Sequence, residues 1–122
     1  MGLDLGRAQW AYSGFNRFRT KLAGAEGINL DQMDGYAMVE FRYVKGLPWT
    51  DESGNDVTVL RPFLDHSDCD GELTWEECAQ VVDRIEEIVA TWDPEDRDTM
   101  QGRLMVEDMR ECVTEQTSLR FG

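Results

Sequence analysis

Residues 74–92 read TWEECAQVVDRIEEIVATW, and this stretch decides the fold. Thr74 followed by Glu77 is a capping box, in which each side chain satisfies a backbone N–H at the start of a helix. Behind it Trp75, Cys78, Val81, Val82, Ile85, Ile88, Val89 and Trp92 recur at helical spacing. The stripe is wide, which predicts a central helix contacted from two sides. Glu86 falls about 20° from Trp75 at 100° per residue, so it is read as lying inside the stripe. A buried carboxylate there needs a partner, because an unpaired one is costly.

Downstream, Asp93-Pro94 predicts the next helix, with Asp93 as cap and Pro94 in the first position. Gly102, Met105, Val106, Met109, Cys112 and Val113 then fall on one face. Residues 118–121 are expected to close the fold as a short strand. Upstream, Val57–Leu60 and Ala37–Val44 are rich in β-formers and are read as strands. Loops are expected at 45–55 and 28–35, where Asp34-Gly35 breaks the chain. Ser13 is read as the cap of a helix over Gly14–Ala25, with Phe15, Phe18 and Leu22 on its buried side. Arg17 and Lys21 point the other way. Arg19 lies about 40° from Phe15, at the edge of the buried stripe. Arg19 and Glu86 are the two misplaced charges, so they are expected to pair or to share a buried ligand. Residues 2–6 complete the pattern as a short strand. The expected fold is α+β: a compact single domain over 1–122, with three main helices and a small sheet built from the chain ends and residues 37–60.

The chain has 122 residues and a net charge of −13, enough length for one core. The charge is uneven. Residues 1–24 carry four basic groups against one acid, whereas residues 62–122 carry five against seventeen. Such a chain is not expected to track nucleic acid, where Lys and Arg must replace phosphate counterions. It favours cations or basic protein surfaces, and a protein partner is expected through the acidic C-terminal half. No apolar run of signal-peptide or membrane-spanning length is present, so no membrane partner is expected. Three cysteines do not make a disulfide framework, which points to reduced thiols and a cytoplasmic location.

One segment has the grammar of a ligand site: His66-Ser67-Asp68-Cys69-Asp70-Gly71-Glu72-Leu73-Thr74-Trp75-Glu76-Glu77. It resembles the twelve-residue calcium loop of the EF-hand family. The resemblance implies a metal site on Asp68, Asp70, the Glu72 carbonyl and Glu77, with Gly71 at the sharp turn, Leu73 in the aliphatic slot and Ca2+ as cofactor. Three features depart from it: histidine stands in the first slot, no second loop follows, and no helix is expected before it. The same residues also suit a structural turn, since Ser67, Asp68 and Asp70 can bond nearby amides. A zinc reading on His66, Cys69 and Cys78 falls short of four ligands. His66 is the only histidine, and a tight turn could bring it close to the Cys69 thiol three residues on, but no other feature supports a nucleophile–base pair, so no enzyme activity is expected.

The segment Trp10–Arg19 interleaves aromatic and basic residues. Tyr12, Arg17 and Arg19 form the cluster able to receive an anion, such as a nucleotide. The opening Met1-Gly2-Leu3-Asp4, the stretch Tyr12-Ser13-Gly14-Phe15-Asn16-Arg17-Phe18-Arg19 and His66–Gly71 resemble a group of short bacterial and phage proteins. That resemblance carries no assigned activity and implies a phage or mobile-element accessory role. The expected function is non-enzymatic binding, with residues 66–77 as an ion or ligand site. The alternatives are an acidic interaction protein, such as a DNA mimic or anti-defence factor, and a small anion- or nucleotide-sequestering module.

Overall fold

The computed structural model describes residues 2–66 and 71–121. In chain order the elements are β1 (Gly2–Asp4), β2 (Gln9–Ala11), α1 (Tyr12–Ala25), a 3-10 turn (Leu30–Gln32), β3 (Met38–Val39), β4 (Arg42–Tyr43), α2 (Arg61–Leu64), β5 (Glu72–Leu73), α3 (Trp75–Val89), α4 (Arg97–Glu115) and β6 (Leu119–Arg120). The architecture is α+β with three main helices. The strands do not share one sheet. They form three antiparallel ribbons, β1–β2, β3–β4 and β5–β6, so the N-terminal strand pairs with β2 and the C-terminal strand with the distant β5, and the two chain ends do not pair with each other.

The α3 capping box is formed. The Thr74 hydroxyl accepts from the Glu77 amide at 3.2 Å, and the Glu77 carboxylate accepts from the Thr74 amide at 3.0 Å. Cys78, Val81, Val82, Ile85, Ile88 and Val89 are buried, and α3 makes its most extensive helix contact with α4. The connection between them is short, so the two run as an antiparallel helix pair. Helix α1 packs against both and sends Phe15, Phe18 and Leu22 into the core. The Phe18 ring lies 4.7 Å from Trp10, 5.6 Å from Trp92 and 6.3 Å from Phe63. Each such ring buried contributes roughly 1.5–3 kcal/mol. Phe63 and Leu64 of α2, Leu119 and Phe121 join the same apolar cluster.

Several local expectations are corrected. Helix α1 begins at Tyr12, directly after β2, with Ala11 as a cap that offers no side chain. Ser13 therefore sits inside the first turn. Helix α4 begins at Arg97, because Asp96 and not Asp93 caps it, accepting from the Asp98 amide at 2.8 Å. Asp93 instead closes a turn by accepting from the Glu95 amide at 3.0 Å. The segment 37–44 is a hairpin, not one strand. Residues 57–60 are not a strand either. Thr58 and Leu60 are buried while Val57 and Val59 face outward, so the alternation is real. The Thr58 hydroxyl, however, accepts from the Leu60 amide at 3.1 Å and turns the chain into α2.

The expected Arg19–Glu86 pair does not form. Glu86 is exposed and bonds Arg110 at 3.1 Å. The buried face of α3 centres near Ile85, and Trp75 stands at its edge, half-buried. A position 20° beyond Trp75 therefore faces water. Helix α4 also buries polar residues on the face read as apolar, namely Asp98, Thr99 and Asp108. The Asp108 carboxylate accepts from the Arg7 amide at 3.2 Å, the Ala8 amide at 3.1 Å and the Arg7 guanidinium at 2.9 Å. It bolts the turn after β1 to the last helix.

Candidate functional site

The loop at 66–77 has a clear frame. Helix α2 leads into it, α3 leaves it, and β5 within it pairs with β6 in the register Glu72↔Arg120 and Leu73↔Leu119. A short helix thus precedes the loop where none was expected. Gly71 has φ +85°, a conformation that favours glycine, and its carbonyl accepts from the Phe121 amide at 3.0 Å. Leu73 is fully buried. Asp68 and Asp70, two of the candidate metal ligands, lie outside the described residues, as does Cys69. The other two have partners. The Glu72 carbonyl accepts a hydrogen bond from His66 Nε2 at 3.1 Å, and one Glu77 oxygen is held in the capping box. The His66 ring also packs 4.4 Å from Phe121. Among the described residues, no group of three or more His, Cys, Asp or Glu side chains gathers to hold a metal. Cys78 is buried, and burial first, then the nearby Cys112 and Glu77, pushes its thiol up to about 12. A thiol that rarely ionises is a poor nucleophile.

Tyr12, Arg17 and Arg19 do not converge. Tyr12 opens α1, half-buried against the core. Arg17 makes a two-toothed bond to the buried Asp98 at 2.9 and 3.0 Å, and Lys21 reaches the same carboxylate at 3.1 Å. Burial pushes the Asp98 carboxyl up, but the bonds from Arg17 and Lys21 outweigh it and hold the group below the usual carboxylate value. Arg19 leaves α1 on another side and is itself buried. Its guanidinium lies 4.9 Å from the Phe15 ring and 5.3 Å from the Tyr36 ring, and it donates to the His66 carbonyl at 2.6 Å. Two candidate regions that are distant in sequence thus meet at the base of the loop. Beside them opens a polar cleft lined by Asn16, Arg19, Asp31, Tyr36, Tyr43 and His66.

The acidic faces of α3 and α4 are laced with arginine. Arg84 bridges Glu26 and Glu87, Arg110 bridges Asp83 and Glu86, and Arg7 bridges Glu107, Asp108 and Glu111. Exposed pairs of this kind are worth little individually, but they break the acidic surface into mixed patches.

The β3–β4 hairpin is a surface feature that the expected single strand over 37–44 did not anticipate. Met38 pairs with Tyr43 and Val39 with Arg42. The two tip residues, Glu40 and Phe41, have φ +50° and +65°, the left-handed pair that a tight hairpin turn requires. Neither is glycine or asparagine. Phe41 is 96% exposed, and Met38, Val39, Tyr43 and Val44 are exposed with it. The stem is firmly rooted. Val44 N–H donates to the Ala37 carbonyl at 2.9 Å, Leu47 N–H to Gln32 at 2.8 Å, Asp34 N–H to Leu47 at 2.9 Å, and the Trp49 indole to Asp34 at 3.0 Å. Gly46 lets two backbones touch, since a Cβ there would stand 2.4 Å from the Met33 carbonyl carbon. A signal was present in the sequence. Apolar residues occupy both phases of the alternation at 38, 39, 41, 43 and 44, whereas a half-buried strand shows only one.

No family model matches the chain, and no curated protein or solved structure matches it either. Among the described residues no helix is long and apolar enough to cross a membrane.

Proposed function

We propose that this chain is a non-catalytic binding protein that docks onto a protein partner through the β3–β4 hairpin. The observation that carries the reading is the hairpin tip. Water gains nothing from an exposed phenylalanine, and each non-glycine residue in the left-handed region costs roughly 1–2 kcal/mol. A firmly rooted stem that presents this tip fits a knob for a partner's apolar cleft. Burial of Phe41 on docking would return roughly 1.5–3 kcal/mol, and the exposed apolar patch around it is the usual mark of an interaction surface. The net charge of −13 favours a partner with a basic rim and opposes pairing with a second copy of the same chain.

The test uses a photo-crosslinking phenylalanine analogue in place of Phe41, with the same analogue in place of Glu87 on α3 as control. The partner captured only at position 41 is purified and titrated. Native protein is expected to bind it, and the E40N/F41G double variant to bind at least tenfold more weakly while unfolding at an equal or higher temperature, because Asn-Gly suits this turn. Equal binding by both proteins, or no partner specific to position 41, would overturn the reading.

A second reading is cation binding at 66–77 by Asp68, Asp70, Glu72 and Glu77. The order α2, loop, β5, α3, with Gly71 at positive φ and Leu73 buried, favours it. Calorimetric titration with calcium, magnesium and zinc decides it: heat that saturates below millimolar ion supports the reading, and its absence with all three removes it.

A further inference from the structure

A groove opens beside the root of the hairpin, with a volume of about 230 Å³ and walls of Ile28, Met33, Leu47, Pro48 and Val57. Its lining is mainly apolar, with Asn29 and Gln32 as its polar members, and Leu47 and Val57 are exposed. About 150 Å³ suffices to hold a benzene-sized group, so the groove has room for a large apolar side chain. It also continues the hairpin surface, because Leu47 is the residue whose backbone bonds to Gln32 and Asp34 root the stem.

Charge identifies the occupant. Residues 29–60 supply most of the groove and all of the hairpin, and they carry six acidic residues against two basic ones. Asp56 is bonded to Arg61, and Asp51 accepts from the amides of Ser53 and Asn55, but their carboxylates still face water, as do Asp31, Asp34 and Glu52. No acid lines the slot itself, but Asp31, Asp34 and Asp56 directly adjoin its lining residues Gln32, Met33 and Val57 in the chain, and a mainly apolar slot with such neighbours selects a ligand that carries cations next to its apolar anchor. A second copy of this chain is the wrong match, since both copies would bring the same negative field.

We infer that the groove is the specificity pocket of the docking surface, and that it takes an apolar side chain from a lysine- or arginine-rich segment of the partner. This rests on the hairpin docking proposed above. In the bound state the Phe41 knob anchors the partner's cleft, the groove receives one side chain in return, and the acids of 29–60 pair with the flanking cations. Two separated apolar anchors fix register, which a single exposed ring cannot do.

The experiment uses a fluorescein-labelled heptapeptide of alternating lysine and leucine, with its glutamate–leucine counterpart, at physiological salt. Fluorescence anisotropy is read against native protein, the groove variants Val57→Lys and Leu47→Lys, the hairpin variant Phe41→Ser, and a distal charge variant E87K/E107K. Both groove positions are exposed, and thermal unfolding verifies that each variant folds. The expected result is binding of the lysine peptide only, weakened at least tenfold by either groove variant and less than twofold by the distal one. A loss with Phe41→Ser alone would overturn the groove assignment and leave hairpin docking standing. Binding untouched by groove and hairpin variants alike, but lost in E87K/E107K, would overturn both and point to adsorption on the helices. No binding of the lysine peptide would overturn the groove assignment.

Discussion

Gly102 lies where α1, α3 and α4 meet, and Gly102→Ala sets two effects of known sign against each other. Replacing glycine by alanine inside a helix stabilises by about 0.8–1.0 kcal/mol. At this site the new methyl would stand 2.9 Å from Phe18 Cε1, 3.2 Å from Phe18 Cζ and 3.2 Å from Val89 Cγ2. A flexible side chain could move aside, but the Phe18 ring is held by Trp10, Trp92 and Phe63. Overpacking a filled core costs about 1–3 kcal/mol, so the net effect is a loss of about 1 kcal/mol. Gly24→Ala in α1 serves as the control, because nothing lies within 4 Å of the Cβ it would add. It is expected to gain up to about 1 kcal/mol, the helix-propensity effect alone. The difference of about 2 kcal/mol is the steric cost of Gly102. Urea unfolding with a common m value measures both. In a Phe18→Leu background the clash is relieved, so Gly102→Ala becomes neutral or stabilising, a coupling of about 1–2 kcal/mol. If Gly102→Ala stabilises the native background, or costs the same with Leu at 18, the packing account of this junction is wrong.

Asp108→Asn puts an amide N–H₂ against donors that the carboxylate now satisfies, the amides of Arg7 and Ala8. The expected loss is about 2–4 kcal/mol by urea unfolding, and a loss below about 1 kcal/mol would show that the N-terminal turn is not bolted through this side chain. The lowered Asp98 carboxyl stabilises the fold above its unfolded value of about 3.9, and the stabilisation fades as pH falls through the lower folded-state value. Asp98→Asn is therefore less stable than native at pH 7, and the two stability curves converge as pH falls through the lowered folded-state value of Asp98; curves that stay parallel into the acid range would refute the assignment. His66→Asp removes the ring that bonds the Glu72 carbonyl and places a carboxylate in the first slot of the loop. Calcium affinity by calorimetry is expected to rise at least tenfold over native, and no gain would mean that His66 does not compete with an ion.

The elements that were legible in the sequence are those whose cause is local. The Thr74–Glu77 capping box and the stripe behind it specify α3 within twenty residues of chain, and both form. The start of α4 was not legible, because Asp93 and Asp96 are both competent caps and each closes a turn. What favours Asp96 is distant: a helix that begins at Arg97 buries Asp98 under Arg17 and Lys21 of α1. Strand pairing is distant in the same way. Residues 72–73 and 119–120 pair across α3 and α4, and β-propensity alone says that a segment can pair, not with what.

Arg19 and the hairpin show two different limits of sequence reading. Helical phase correctly marked Arg19 as a cation that must be received inside the fold. Phase specifies a direction, however, and the groups in that direction proved to be the His66 carbonyl and the Phe15 and Tyr36 rings. Glu86 was excluded by a rotation of about 100° between it and Ile85, the centre of the buried stripe. The hairpin escaped for the opposite reason. Glu40-Phe41 carries none of the Asn-Gly chemistry that announces a tight turn, so local propensity argues against the conformation the chain adopts. Where a local preference is overruled and a large apolar side chain is left in water, folding offers no compensation at the site itself. The bonds that root the stem hold the tip in place without covering it, and burial against a partner would supply the term that the isolated chain lacks.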